Sequence, residues 1–191
     1  MPKLYIISGC NGAGKTTASY TVLPDMLNCR EFVNADEIAK GLSPFNSENV
    51  AIEAGRIMLN RIRELMNDGG DFAFETTLAT RSYTNLVQTA RLKGYQVFLI
   101  YFWLNSPELA IDRVRIRVEA GGHNIDEETI QRRYQKGIHN LFSLYMDTVD
   151  YWLIVDNSNS PFEIIAEGGA DKTKQINNLL LYKQLQNYER R

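Results

Sequence analysis

Cysteine is scarce in this chain: Cys10 and Cys29 are the two among 191 residues. Their spacing fits no metal-ligand pattern, and two residues cannot build the disulfide framework of a small secreted domain. Both are expected to be reduced thiols of a cytoplasmic protein. Long apolar runs are also missing. The most apolar stretch, Gln96 to Leu104, falls well short of the roughly 20 residues that a membrane span needs. No membrane association is therefore expected. The opening Met1-Pro2-Lys3 runs into a strand pattern and does not read as a signal peptide. A surplus of positive charge is absent too, with 21 Lys and Arg against 23 Asp and Glu. The net charge of −2 and the pI near 5.8 argue against a broad nucleic-acid-binding surface. No linker, repeat or low-complexity segment interrupts the chain. What remains is 44% hydrophobic and 23% charged, an ordinary balance for one domain spanning 1–191 with a full core.

Against that plain background stands Gly9-Cys10-Asn11-Gly12-Ala13-Gly14-Lys15-Thr16-Thr17, a G-x-x-x-x-G-K-[ST] phosphate loop. Its setting suits its physics. Lys3 to Ser8 is a short β-branched strand, and Thr16 to Leu27 reads as a helix. Glycines allow the tight turn that aims backbone N–H groups at phosphate oxygens, and the helix N-terminus adds its positive dipole. Gly9, Asn11, Gly12, Ala13, Gly14, Lys15, Thr16 and Thr17 are thus the candidate nucleotide-binding residues. Lys15 would reach the β/γ-phosphates, and Thr16 would supply the Mg²⁺ ligand.

Strands and helices then alternate. Glu31–Asn34 reads as a strand, Asn34–Pro44 as a short helix or loop, and Ser47–Asn67 as a helix with one apolar face. Phe72–Glu75 is a strand and Thr80–Lys93 a helix. Gln96–Leu104 is apolar enough to lie centrally in a parallel sheet. Ser106-Pro107-Glu108 opens a helix that Gly121-Gly122 breaks, and Asp126–Asp147 is helical again. Tyr151–Val155 is a fifth strand, Phe162–Ala166 a sixth at the edge, and Lys174–Tyr188 a terminal helix. This order predicts a three-layer α/β/α P-loop NTPase fold, with a mostly parallel sheet of five or six strands and a helical lid.

In such sheets ligands sit at the carboxyl ends of the strands. That rule singles out Asp36, just after the second strand, and Glu75 and Thr76 at the end of the third. A carboxylate there can take a proton from an acceptor hydroxyl or order the waters around a metal. Two plain alternatives stay open: Asp36 as a helix N-cap, and Glu75 paired with an arginine such as Arg81. The Asp156-Asn157-Ser158 turn is either a flank of the nucleotide base or an ordinary turn. Between 115 and 135, Arg117 and the Arg132-Arg133 pair surround Gly121-Gly122-His123. Arg113 and Arg117 share a helical face, and Arg115 points away from it. A lid closing there would bring guanidinium groups to a transferring phosphoryl group. His123 is expected to support that lid rather than to catalyse.

Taken in order, the phosphate loop, Asn34-Ala35-Asp36, Phe74-Glu75-Thr76-Thr77-Leu78, Arg113-x-Arg115-x-Arg117, Gly121-Gly122-His123 and Arg132-Arg133-Tyr134 resemble the zeta-toxin-like P-loop kinases. The likeness covers about residues 3 to 158. It is nearest to the small stand-alone bacterial members. It implies transfer of the γ-phosphoryl group of ATP, with Mg²⁺, to a hydroxyl of a small molecule, a UDP-N-acetyl amino sugar in zeta toxins. It also implies an antitoxin protein that blocks the nucleotide site. Asp36 would be the base, Glu75 would contact the substrate, Arg117 would be the first lid arginine, and Arg133 or Arg132 the second. The residues alone leave two other readings open: a nucleotide or nucleoside kinase, and a P-loop NTPase serving as a switch or binding module.

Overall fold

The structure, a computed structural model, describes residues 1–122, 124–169 and 174–189. His123 lies outside the described residues. β1 (Lys3–Gly9) is buried from Leu4 onward, so helices cover both of its faces, as expected for a strand of a parallel sheet. Helix α1 (Lys15–Thr21) follows the phosphate loop. Then come β2 (Phe32–Val33), α2 (Ala35–Leu42), α3 (Ala51–Asp68), β3 (Phe72–Thr76), α4 (Tyr83–Leu92) and β4 (Gln96–Trp103). The chain continues with α5 (Pro107–Glu119), α6 (Glu127–Asn140), β5 (Tyr151–Asp156), β6 (Glu163–Gly169), β7 (Lys174–Ile176) and α7 (Leu179–Glu189).

The sheet order is β2-β3-β1-β4-β5-β6-β7. The first five of these strands pair in parallel, and β6 and β7 are antiparallel. The α/β class, the mostly parallel sheet and the central place of β4 follow the sequence pattern. The register brings Gly9 level with Phe102, and Ser8 level with Thr76. The carboxyl ends of β1, β3, β4 and β5 therefore form one rim.

Local differences from the sequence pattern have local causes. The helix expected from Thr16 to Leu27 changes type at Val22, where a π turn (Val22–Met26) takes over. Its wider ring, with Leu27 N–H donating to Val22 O at 3.1 Å, accommodates Pro24, which has no N–H to give. The helix expected from Asp126 to Asp147 likewise passes into a π turn at Leu141–Tyr145. The helix expected from Ser47 begins as a 3₁₀ turn, Ser47–Val50. The largest departure lies near the end. Lys174–Ile176 adds a seventh strand outside β6, so β6 is not the edge strand that its pattern suggested. Helix α7 starts only after Asn178, whose side chain accepts from Leu181 N–H at 3.1 Å and serves as its N-cap.

Candidate active site

Two features hold the phosphate loop in shape. Gly9 has φ of +139°, and a Cβ there would lie 2.2 Å from Phe102 O, so no larger residue fits against β4. At the other end the Asn157 amide donates to Ala13 O at 2.9 Å, and it lies so close that a Cβ on Gly14 would meet it at 2.6 Å. The Asp156-Asn157-Ser158 turn thus braces the loop. Asp156 in turn accepts from Ser158 N–H and Ser158 Oγ.

Lys15 is buried and Glu75 is largely covered, and Lys15 Nζ lies 3.5 Å from Glu75 Oε1. Lys15 Nζ also donates to Cys10 O at 2.9 Å. Thr16 Oγ1 donates to Glu75 Oε2 at 2.7 Å, and Asn34 Nδ2 donates to the same oxygen at 2.8 Å. Glu75 is therefore paired with Lys15 and not with Arg81. The other end of the Asn34 amide caps α2: Asn34 Oδ1 accepts from Asp36 N–H at 2.8 Å and from Glu37 N–H at 3.4 Å. The N-cap role considered for Asp36 thus belongs to Asn34. Asp36 sits in the first turn of α2 and lines the cavity.

That cavity has a volume of about 600 Å³ and is walled by Asn11, Gly12, Gly14, Lys15, Thr16, Thr17, Asp36, Glu75, Arg113 and Arg117. A groove of about 950 Å³ lies beside it, sharing Tyr20 and Glu37 but containing no residue of the phosphate loop itself. Charged side chains line both hollows, Arg30, Glu31 and Arg61 among them in the larger; the phosphate loop is what marks the smaller one as the candidate site. Thr76 is placed differently from its neighbours. Its hydroxyl accepts from Leu78 N–H at 3.1 Å, within the turn after β3, and it does not line the cavity.

The arginines separate by face. Arg113 and Arg117 line the cavity from α5, while Arg115 points outward to Asp112 at 2.7 Å. Arg113 donates to Ser158 O at 2.9 Å. Of the pair on α6, Arg132 donates to Thr129 on the exposed side, whereas Arg133 donates to Asn11 Oδ1 at 3.2 Å. Burial lowers the pKa of Arg133, and the nearby charge of Asp36 pulls it back up. The next residue fixes this placement. Tyr134 is buried, accepts from Trp103 Nε1 at 2.9 Å and donates to Leu104 O at 2.6 Å, which seats α6 on the end of β4.

The two thiols take no part in this constellation. Burial pushes both Cys10 and Cys29 up to about 11, so they stay protonated near neutrality and are poor nucleophiles. Among the described residues no three His, Cys, Asp or Glu side chains gather into a metal cage. Mg²⁺ does not need one; it is commonly held by one or two protein oxygens together with phosphates. The hard oxygen donors of Thr16 and Glu75, 2.7 Å apart, fit such an ion. No helix among the described residues is long and apolar enough to cross a membrane.

Comparison with known proteins follows the same lines. The sequence model of the zeta toxin family matches residues 1–162. An uncharacterized protein of Haemophilus influenzae is 30% identical over 132 residues, covering 69% of this chain and 92% of that protein. The AvrRxo1-ORF1:AvrRxo1-ORF2 crystal structure with sulphate ions superposes with a TM-score of 0.77 at 15% identity. It covers 97% of this chain, which spans 63% of the length of that one. A second crystal structure of that complex contains ATP. The PezAT toxin–antitoxin system of Streptococcus pneumoniae gives a TM-score of 0.66 at 16% identity, over 100% of this chain and 85% of the other.

Proposed function

The chain belongs to the zeta toxin family, and from that premise we propose that it is a kinase moving the γ-phosphoryl group of ATP to a hydroxyl of a small molecule. One observation carries the reading. A single cavity joins the phosphate loop to Asp36, Glu75 and Arg117, with Arg133 tied to its rim through Asn11. A nucleotide switch needs the loop but has no use for a carboxylate beside an open acceptor space; a kinase needs both.

In this reading Asp36 takes the proton of the attacking hydroxyl. Lys15 leaves Cys10 O to meet the β/γ-phosphates, and the loop N–H groups hold their oxygens. Arg117 and Arg133 face the charge that spreads over the transferring group. Thr16 and Glu75 would hold Mg²⁺, which when bound neutralises phosphate charge. In this reading Glu75 serves the phosphate side of the site, whereas the family likeness gives it to the acceptor. Thr76 acts through the shape of its turn. A UDP-N-acetyl amino sugar is the acceptor class to test first, because zeta toxins use it. A protein partner covering the nucleotide site is part of the proposal, supported by neighbours that are toxin–antitoxin or two-protein assemblies.

The test is ATP consumption with a panel of UDP-sugars and nucleosides, for the wild type and Lys15→Ala. An acceptor-dependent wild-type rate that Lys15→Ala removes, with an unchanged circular dichroism spectrum, is the expected result. Phosphorylation of a nucleoside instead would move the protein to the nucleoside kinases. Equal turnover in both proteins would sink the phosphate-site reading.

A further inference from the structure

Asn34 is buried, with 6% of its surface exposed, and both ends of its amide are engaged. Its oxygen accepts from the backbone N–H groups of Asp36 and Glu37. Its nitrogen donates to Glu75 Oε2 at 2.8 Å and lies 3.4 Å from Thr16 Oγ1. One planar group therefore links the first turn of the helix that carries Asp36 to the carboxylate that meets Lys15 and Thr16. A cap alone needs only an acceptor oxygen, which Ser, Asp or Thr supplies as well. A partner for Glu75 alone needs only a donor. Asn is among the few side chains short enough for this position that carry both.

We infer that Asn34 is a positioning residue that sets the distance between the acceptor side of the site, at Asp36, and the phosphate side, at Glu75 and Thr16. The roles given to the two sides rest on the proposed kinase reading; the bridge itself rests on the hydrogen bonds. The amide plane is rigid, so a shift of Glu75 is passed to the N-terminus of α2 and thence to Asp36. The segment Phe32–Val33 before it pairs with β3 alone, a short tether. The amide adds a second link between the start of α2 and β3.

Charge chemistry separates this role from simple capping. Asn34→Asp keeps the cap, since Asp and Asn are equivalent there, but loses the N–H and sets a second carboxylate against Glu75. Its thermal midpoint should fall by about 5 °C or more. Asn34→Asp combined with Glu75→Gln reverses the bond, with the new amide donating to the new carboxylate, and should recover most of that loss. A cap-only residue predicts no loss in Asn34→Asp and nothing for Glu75→Gln to restore; that outcome would overturn the bridge.

The link to Asp36 is read from transfer rates. Asn34→Ala should lower the rate about tenfold or more, and should cost little further in an Asp36→Asn background, because both changes act through one group. Full additivity would overturn the positioning role. Should the wild type transfer phosphate to no acceptor, the kinase reading fails. The midpoints of Asn34→Asp and its Glu75→Gln partner still decide whether the bridge exists.

Discussion

Glu75 takes hydrogen bonds from Thr16 and Asn34 on one oxygen and faces Lys15 with the other. Removing any one of these partners would leave the carboxylate poorly compensated. Such a carboxylate suits ordering a cation and its waters better than gripping an acceptor that comes and goes. Asp36 is placed differently: its backbone is fixed by Asn34 while its side chain faces the cavity. Asp36→Asn should therefore slow transfer by about 10²- to 10⁴-fold, the usual worth of a general base. Nucleotide affinity should hardly move, because the loop N–H groups and Lys15 are untouched. Isothermal titration with ADP beside acceptor-dependent rates makes the comparison. Affinity collapsing together with rate would assign Asp36 to the metal shell.

At the scale of elements, the two helices that would form the lid are held by different contacts. α5 ends in a tight turn, with Gly121 N–H donating to Val118 O and Gly122 N–H to Arg117 O, both at 2.9 Å. α6 is fastened along its length. Tyr134 bonds to the β4 end, Asn140 Nδ2 donates to Leu78 O at 2.8 Å, and Gly137 packs against Thr77 O. Motion should therefore concentrate around the turn, while Arg133 stays near its place. Hydrogen exchange with a non-hydrolysable ATP analogue should slow over 117–129 and change little from Tyr134 onward. Removing Arg117 and Arg133 together should cost about 10³-fold in transfer rate and little in ADP affinity, since the charge they meet develops only on the departing group. Uniform exchange in both states, with a wild-type rate in the double variant, would make these two arginines surface features.

For the whole molecule, the decisive fact is that the parallel strands end together. Side chains from residues as distant as Lys15, Glu75, Arg117 and Asn157 meet at one rim because β1 pairs with both β3 and β4, and β5 follows. A ligand bridging that rim ties the sheet ends to each other. Saturating nucleotide, at about a hundredfold its Kd, should raise the thermal midpoint by roughly 5–10 °C, and the rise should vanish in Lys15→Ala. Differential scanning fluorimetry with and without ADP and Mg²⁺ measures it; no rise in the wild type would mean that the rim binds no nucleotide.

Much of this was legible in the chain itself. The phosphate loop, the alternation of strands and helices, the central apolar strand and the inward and outward faces of Arg113, Arg115 and Arg117 all follow from local chemistry and short periods. Residues 174–176 are too few to show the alternation that marks a strand, and their partner is β6, which only the folded chain supplies. The choice of Arg133 over Arg132 depended on where Tyr134 seats α6. The partner of Glu75 depended on the register that sets β3 beside β1. Asn34 could be read as the end of a strand and the start of a helix but not as a bridge, because its bond to Glu75 reaches a different element. Glycine spacing and side-chain type are local properties, so the chain alone marks the phosphate loop and the candidate groups around it. Which of them meet, and at what distance, was decided by the tertiary structure alone, because pairing register and helix seating are set by contacts between segments far apart in the chain.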